Sequence, residues 1–197
     1  MGAIVALKKD GRVYVAADRM RTRMNFRWTM RNEENLKIKR LKDGVIIGSC
    51  GFVSVTQNLY LHPDWFKVPS GMDFDKRFLV TRVVPKLIDV LEAKGILERN
   101  DDGEPYMEDL YIIVKGERIF IIDNDFGVLE AGDLGIISND ISDQFIRGYI
   151  DNHQCDNPES FLREVFQVCA KEKSKISDSI VITDTINEEL RFYGEEM

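Results

Sequence analysis

Ala3-Ile4-Val5-Ala6-Leu7-Lys8 runs through Lys9-Asp10-Gly11 into Arg12-Val13-Tyr14-Val15-Ala16-Ala17-Asp18. Further on, Lys37-Ile38-Lys39-Arg40-Leu41-Lys42 runs through Asp43-Gly44 into Val45-Ile46-Ile47-Gly48-Ser49-Cys50-Gly51. Each stretch is two β-rich runs joined by an Asp-Gly turn, the strongest short-range hairpin signal a sequence carries. Val45-Ile46-Ile47 does not alternate with polar residues. It therefore predicts a strand buried on both faces, and each sheet must be covered.

Beyond Gly51 the period changes. Val55, Leu59 and His62 fit a short helix that stops at Pro63, and Pro63 to Asp75 reads as irregular. Val80, Val83, Val84, Leu87, Ile88 and Leu91 form one stripe at helical spacing within Lys76–Lys94. Pro85 lies in that stripe and predicts a kink, because it has no N–H to donate. Phe78 and Leu79 widen the stripe beyond one core face, which predicts a second partner there. After a polar loop from Arg99 to Glu108, strands are expected over Leu110–Val114, Arg118–Ile122, Val128–Ala131 and Leu134–Ser138. Helices follow over Ser142–Asn152 and Ser160–Lys171, the second opened by the cap-and-proline pair Asn157-Pro158. Ser179–Asp184 and Glu189–Tyr193 close the chain as strands. Blocks segregated in this way suit an α+β architecture, two sheets face to face with helices outside, within one domain spanning 1–197.

Composition narrows the function. The 197 residues are 44% hydrophobic and 31% charged with net charge −7, a soluble globular profile that argues against a nucleic-acid surface. Arg19 to Lys42 is basic and holds Phe26 and Trp28, but reads as solvated strand faces. Cys50, Cys155 and Cys169 have no paired spacing, so neither a disulfide framework nor a zinc site is expected, and a reducing cytoplasm fits. No apolar run reaches the roughly 18 residues of a membrane span, and the opening residues do not read as a secretory signal. Asp123-Asn124-Asp125 starts like a calcium loop, but Phe126-Gly127 and the missing distal glutamate favour a hairpin turn. His62 and His153 fall at helix ends and read as exposed. Cys50, after a buried strand, reads as core or pocket wall rather than as a nucleophile. No metal or cofactor is implied.

The two opening hairpins, with Ala16-Ala17-Asp18, Lys37-Ile38-Lys39-Arg40-Leu41 and Gly48-Ser49-Cys50-Gly51, resemble the start of the proteasome β-subunit family, including its bacterial HslV-type branch. The resemblance implies the four-layer αββα sandwich of the N-terminal nucleophile (Ntn) hydrolases. It also implies a chemistry: an N-terminal threonine whose own amine is the base toward its hydroxyl, tuned by a lysine that a carboxylate holds, with backbone N–H groups as oxyanion hole. Carried over residue by residue, Asp18 is the carboxylate, Lys37 the lysine, and Gly48 to Gly51 with Cys50 the oxyanion turn. Thr22 lies on the substrate edge, and Ser138 is the serine near the nucleophile, although its setting is Ile137-Ser138-Asn139. Counting back from Asp18, the nucleophile position falls on Gly2, which has no hydroxyl. The later aspartate and serine-glycine turn would fall in Lys173-Ser174-Lys175-Ile176-Ser177-Asp178, which lacks a counterpart to the aspartate.

The expected function is therefore a subunit of a self-compartmentalising homo-oligomeric ring, two rings stacked, that does not itself cleave peptides. An AAA+ unfoldase is its implied partner, and a polypeptide its substrate if active. One alternative is an active threonine-type peptidase subunit of an ATP-dependent protein-degradation complex whose N-terminus has been altered. Another is a monomeric Ntn hydrolase of small amides.

Overall fold

The computed structural model describes residues 2–23, 26–51, 53–138, 142–172 and 176–194. The opening hairpin forms as its turn demands: β1 (Ala3–Lys9) and β2 (Arg12–Asp18) pair antiparallel, from Ile4 opposite Ala17 to Lys9 opposite Arg12. Asp10 and Gly11 both take positive φ, 51° and 73°, the handedness a two-residue hairpin needs. The basic stretch then holds a hairpin absent from the sequence reading, β3 (Met20–Arg23) against β4 (Phe26–Thr29). The second motif gives β5 (Ile38–Arg40) and β6 (Val45–Cys50).

The polar loop after residue 97 contains a short ladder, β7 (Glu98–Arg99) with β8 (Pro105–Tyr106). The remaining strands are β9 (Leu110–Lys115), β10 (Arg118–Ile122), β11 (Val128–Ala131), β12 (Leu134–Ser138), β13 (Ile180–Asp184) and β14 (Arg191–Tyr193). Among the described residues, two five-stranded antiparallel sheets result, ordered β12-β1-β2-β13-β14 and β11-β10-β9-β6-β5. The Asp123–Gly127 link between β10 and β11 is a hairpin turn: Phe126 N–H donates to the Asp123 carbonyl, and Asp125 Oδ1 accepts from Gly127 N–H.

Side-chain alternation sorts these strands onto three apolar clusters. Ile4, Val13 and Val15 of the first sheet meet Ile46, Ile112 and Val114 of the second. The other side of the first sheet, through Val5, Ala16 and Ile182, packs on α4 (Ser142–Asn152) and α5 (Pro158–Glu172) by way of Ile146, Leu162, Val165 and Phe166. Val45, Ile47, Ile113 and Phe120 of the second sheet pack on α1 (Val53–Leu61) and α3 (Val84–Ala93) through Leu59, Leu87 and Leu91. Ile46 thus faces one cluster while Val45 and Ile47 face another, so the run has no polar position. The chain is a mixed α+β protein on antiparallel sheets.

Pro85 follows a widened turn in the helix. Helix α2 (Lys76–Phe78) continues into α3 through a π turn, Leu79–Val83, in which Val84 N–H donates to the Leu79 carbonyl. Widening one turn accommodates the proline, whose ring would otherwise strike the carbonyl four residues back. The extra residue also shifts the helix phase. Phe78 and Leu79, expected to face a partner, are 1% and 0% exposed in this chain's own core, whereas Val80, expected inside, is 42% exposed. Phe78→Ala should therefore lower stability by about 3–5 kcal/mol, and Val80→Ala should stay within about 0.5 kcal/mol. Urea unfolding of the two variants checks this; equal, small losses would mean that the stripe keeps its unshifted helical phase.

Candidate functional site

The first sheet carries Asp18 at the end of β2 and Ala3 at the start of β1, so that hairpin register brings residues fifteen apart in sequence into contact. Asp18 Oδ1 accepts from the Ala3 N–H at 2.8 Å and from Lys37 Nζ at 2.7 Å, and Oδ2 accepts from the Met20 N–H at 3.3 Å. Lys37 precedes β5 on the second sheet, and the pair therefore bridges the two sheets. The side chains are 0% and 4% exposed. A charge pair this dry holds only if the remaining lone pairs are met by hydrogen bonds, as the two backbone amides do here.

Gly2 sits against that pair. Its φ is +150°, and a Cβ built there would collide with Lys37 Nζ and Asp18 Oδ1 and come within 2.9 Å of Lys37 Cε. The lysine ammonium occupies the space in which a side chain at position 2 would begin. The ammonium is placed by its bond to Asp18, while the Lys37 backbone is held separately, its carbonyl accepting from Tyr60 Oη at 2.7 Å.

Cys50 closes the opposite side. Its Sγ lies 3.6 Å from the carbonyls of Gly2 and Ile137, and burial pushes the thiol up to about 12, with Lys37 only partly offsetting it. At neutral pH it is a protonated donor to backbone, as the wall reading requires, and not an attacking thiolate. Ser138 pairs with Ala3 across β1 and β12, which places it beside the site. Its Oγ accepts from the Asp143 N–H at 3.2 Å, at the start of α4.

The glycines separate into two kinds. Ser49 N–H donates to the Lys37 carbonyl toward β5, so the neighbouring Gly48 amide turns toward β9, where Gly48 stands opposite Ile112. A Cβ at Gly48 would lie 2.6 Å from Ile112 Cγ2 and 2.9 Å from Ile4 Cδ1. Gly48 is therefore a close-packing residue between the sheets, with its amide turned toward the β9 ladder. Gly51 has φ +157°, and the Asp109 carboxylate, 1% exposed, lies where a side chain at 51 would project. Thr22 stands opposite Arg27 in the β3–β4 hairpin, and its side chain lies outside the described set. Asn139, Lys173, Ser174 and Lys175 lie outside the described residues as well; Ser177 Oγ accepts from the Ser179 N–H at 3.0 Å.

Three neighbours were not legible beforehand. Tyr60 holds the Lys37 carbonyl, Asp109 backs Gly51, and the Arg21 guanidinium lies near Tyr60, Cys50, Asp18 and Asp109, with burial pulling its pKa down against their opposing charges. Helical spacing from Thr56 marks Tyr60 as inward-facing. Nothing in the local sequence marks Asp109. His62 stacks on Trp65 at 4.5 Å and His153 on Tyr149 at 3.9 Å, both away from this cluster. Among the described residues, no group of three His, Cys, Asp or Glu is arranged to hold a metal, and no helix is long and apolar enough to cross a membrane.

No family model and no curated protein matches this chain. Solved structures do. Thiobacillus denitrificans BPH in complex with epoxomicin aligns at a TM-score of 0.69 and 16% identity, over 92% of this chain and 97% of that one. Eukaryotic HslV from Trypanosoma brucei aligns at 0.65 and 14%, over 92% and 98%. Anbu from Hyphomicrobium sp. strain MC1 aligns at 0.65 and 14%, over 96% and 86%. The resemblance read from the opening hairpins thus holds as fold over nearly the whole chain, which shares the fold of these BPH, HslV and Anbu structures.

If Lys37 holds position 2 closed, Lys37→Ala should cost about 3–5 kcal/mol by stranding the Asp18 carboxylate. Gly2→Ala should cost about 1–3 kcal/mol, by forcing a Cβ into a glycine conformation and displacing the ammonium. In Gly2→Ala with Lys37→Ala the two costs should fall short of additive, since the second change makes room for the first. Strict additivity in chemical denaturation would mean that the two residues do not compete for one space.

Proposed function

We propose that this chain is a single-domain proteasome- or HslV-like subunit, a four-layer αββα sandwich over 1–197, that assembles into a homo-oligomeric ring and does not itself cleave peptides. One observation carries the inactive reading: the Lys37 ammonium fills the space where the side chain of residue 2 would start. Acyl transfer needs an attacking oxygen or sulfur with a base within reach. Gly2 supplies no such atom, and Cys50 is held protonated by burial. Asp18, Lys37 and Ser138 then act as supports of the sheet junction rather than as catalytic groups.

The three clusters support the layered reading: one lies between the sheets and one beneath each helical cover. Ring assembly follows from the likeness in fold to HslV and Anbu, and an AAA+ unfoldase is the partner such a ring would serve. A second reading, an active peptidase subunit with an altered N-terminus, draws on one specific observation. Asp18, Lys37 and Ser138 still converge on the start of β1.

The protein should leave fluorogenic peptides and casein uncut. Epoxomicin, present in the BPH complex, should leave its intact mass unchanged. Light scattering should give a particle many times 22.7 kDa. Covalent labelling by epoxomicin would establish the active reading, and a monomer across the micromolar range would remove the ring.

A further inference from the structure

The link between β13 and β14 belongs to the first sheet but is tied to the second. Its start is anchored at Thr185, whose N–H donates to the Val13 carbonyl and whose Oγ1 accepts from the Val13 N–H at 3.1 Å. Its end is anchored at Arg191 by the pairing of β14 with β13. Between these anchors Ile186 to Glu189 are exposed and Leu190 is partly buried. Among the described residues, no main-chain bond joins 186–190 to a strand.

Two side chains hold the link instead. Asp184 is fully buried, and its Oδ1 accepts from the Ile186 and Asn187 N–H groups at 2.8 and 2.7 Å. Its Oδ2 accepts from Asn187 Nδ2 at 2.8 Å and from Arg191 Nη2 at 2.9 Å. Burial by itself raises the pKa of this carboxyl, but the bonds from Asn187, Arg191 and Ile186 bring it down to about 2, so it is ionised at neutral pH. Those contacts stay within the link and its own strands. Arg40 comes from β5 on the other sheet, and its Nη1 donates to the Asp184 and Asn187 carbonyls. Behind the link, Ile38 is 1% exposed in the cluster between the sheets, and Leu190 packs against that cluster. A cavity of about 700 Å³ bordered by Ile38, Glu188, Glu189 and Leu190 leaves the link room to move.

We infer that residues 186–190 form a strap that opens and closes as a unit beside β5, with Arg40 as its latch and Asp184 fixing its closed shape. A short segment with no ladder bonds and few buried side chains separates at lower cost than a five-stranded sheet. Opening uncovers Ile38 and Leu190 while both sheets stay paired. The β5 side of the core is then reached without unfolding, next to the strand that begins one residue after Lys37. The strap lies outside the Gly2 cluster and does not depend on whether that cluster is active.

The test is native-state amide hydrogen exchange of the full chain, resolved by residue, over a series of low urea concentrations. The Ile186 and Asn187 amides should exchange at least about tenfold faster than those of Val181 and Ile182 in β13. Their rates should also depend less steeply on urea, because a local opening exposes little surface. Arg40→Ala should speed exchange at Ile186 and Asn187 by at least about tenfold. Arg40→Lys, which keeps the charge without the planar fork, should act in the same direction to a lesser degree. Matching rates and urea slopes at Ile186, Asn187, Val181 and Ile182 in the unaltered chain would overturn the strap, whether or not either variant folds. Unchanged Ile186 and Asn187 rates in both variants would overturn Arg40 as the latch.

Discussion

Asp18 and Lys37 place two full charges in a nearly dry junction between the sheets, and the surrounding residues are arranged around the need to keep both satisfied. After the lysine, the carboxylate also accepts from the Ala3 and Met20 amides, which fill two of its remaining lone-pair positions. That fixes how β1 and the start of β3 approach β2. The lysine backbone is fixed in turn by the Tyr60 hydroxyl, which links the junction to α1 on the far side of the second sheet. Gly2 is packed against the same pair: a Cβ at position 2 would displace the Lys37 ammonium and crowd the Asp18 carboxylate. A single ion pair thus couples the first strand, the sheet interface and an outer helix.

The same geometry separates the frame of a reaction from the reaction. Ser138 and Cys50 both have structural uses: Ser138 takes the Asp143 amide at the start of α4, and the Cys50 thiol lies between the Gly2 and Ile137 carbonyls. Groups whose only use is chemical are missing or countered. Position 2 has no hydroxyl, and burial drives the Cys50 thiol far above neutrality.

Local signals were enough for what is local. The Asp-Gly turns fixed both opening hairpins, and the Asn157-Pro158 pair marked the start of α5. Three features were not readable, each for its own reason. The β3–β4 hairpin lies in the arginine- and methionine-rich run read only as solvated strand faces, because Arg19, Arg21, Arg23, Arg27 and Arg31 leave it without an Asp-Gly or Asn-Gly turn between two clear apolar runs. The π turn before Pro85 adds one residue to a turn, and a fixed period of 3.6 then assigns the wrong face to Phe78, Leu79 and Val80. Asp109 reaches Gly51 through sheet pairing, with Cys50 opposite Leu110. A contact made across strands leaves no mark in either segment alone.

The energetics of the junction bear on why the Asp18–Lys37 pair says little about activity on its own. A hydroxyl at position 2 contributes to catalysis and little to folding, so its removal leaves the fold intact. Asp18 and Lys37 differ, because deleting either one alone strands a buried charge at about 3–5 kcal/mol, a large share of the 5–15 kcal/mol that holds a typical domain together. Replacing both by apolar residues of matching volume can be neutral, but every single step toward that state is costly. Lys37 has a further reason to remain: with no side chain at position 2, its ammonium fills a space that would otherwise be a polar void beside a carboxylate. The pair is therefore held by folding alone, and its presence is no measure of activity. Function at this junction has to be judged from the atom at position 2 and the protonation of Cys50, the two features that packing does not require.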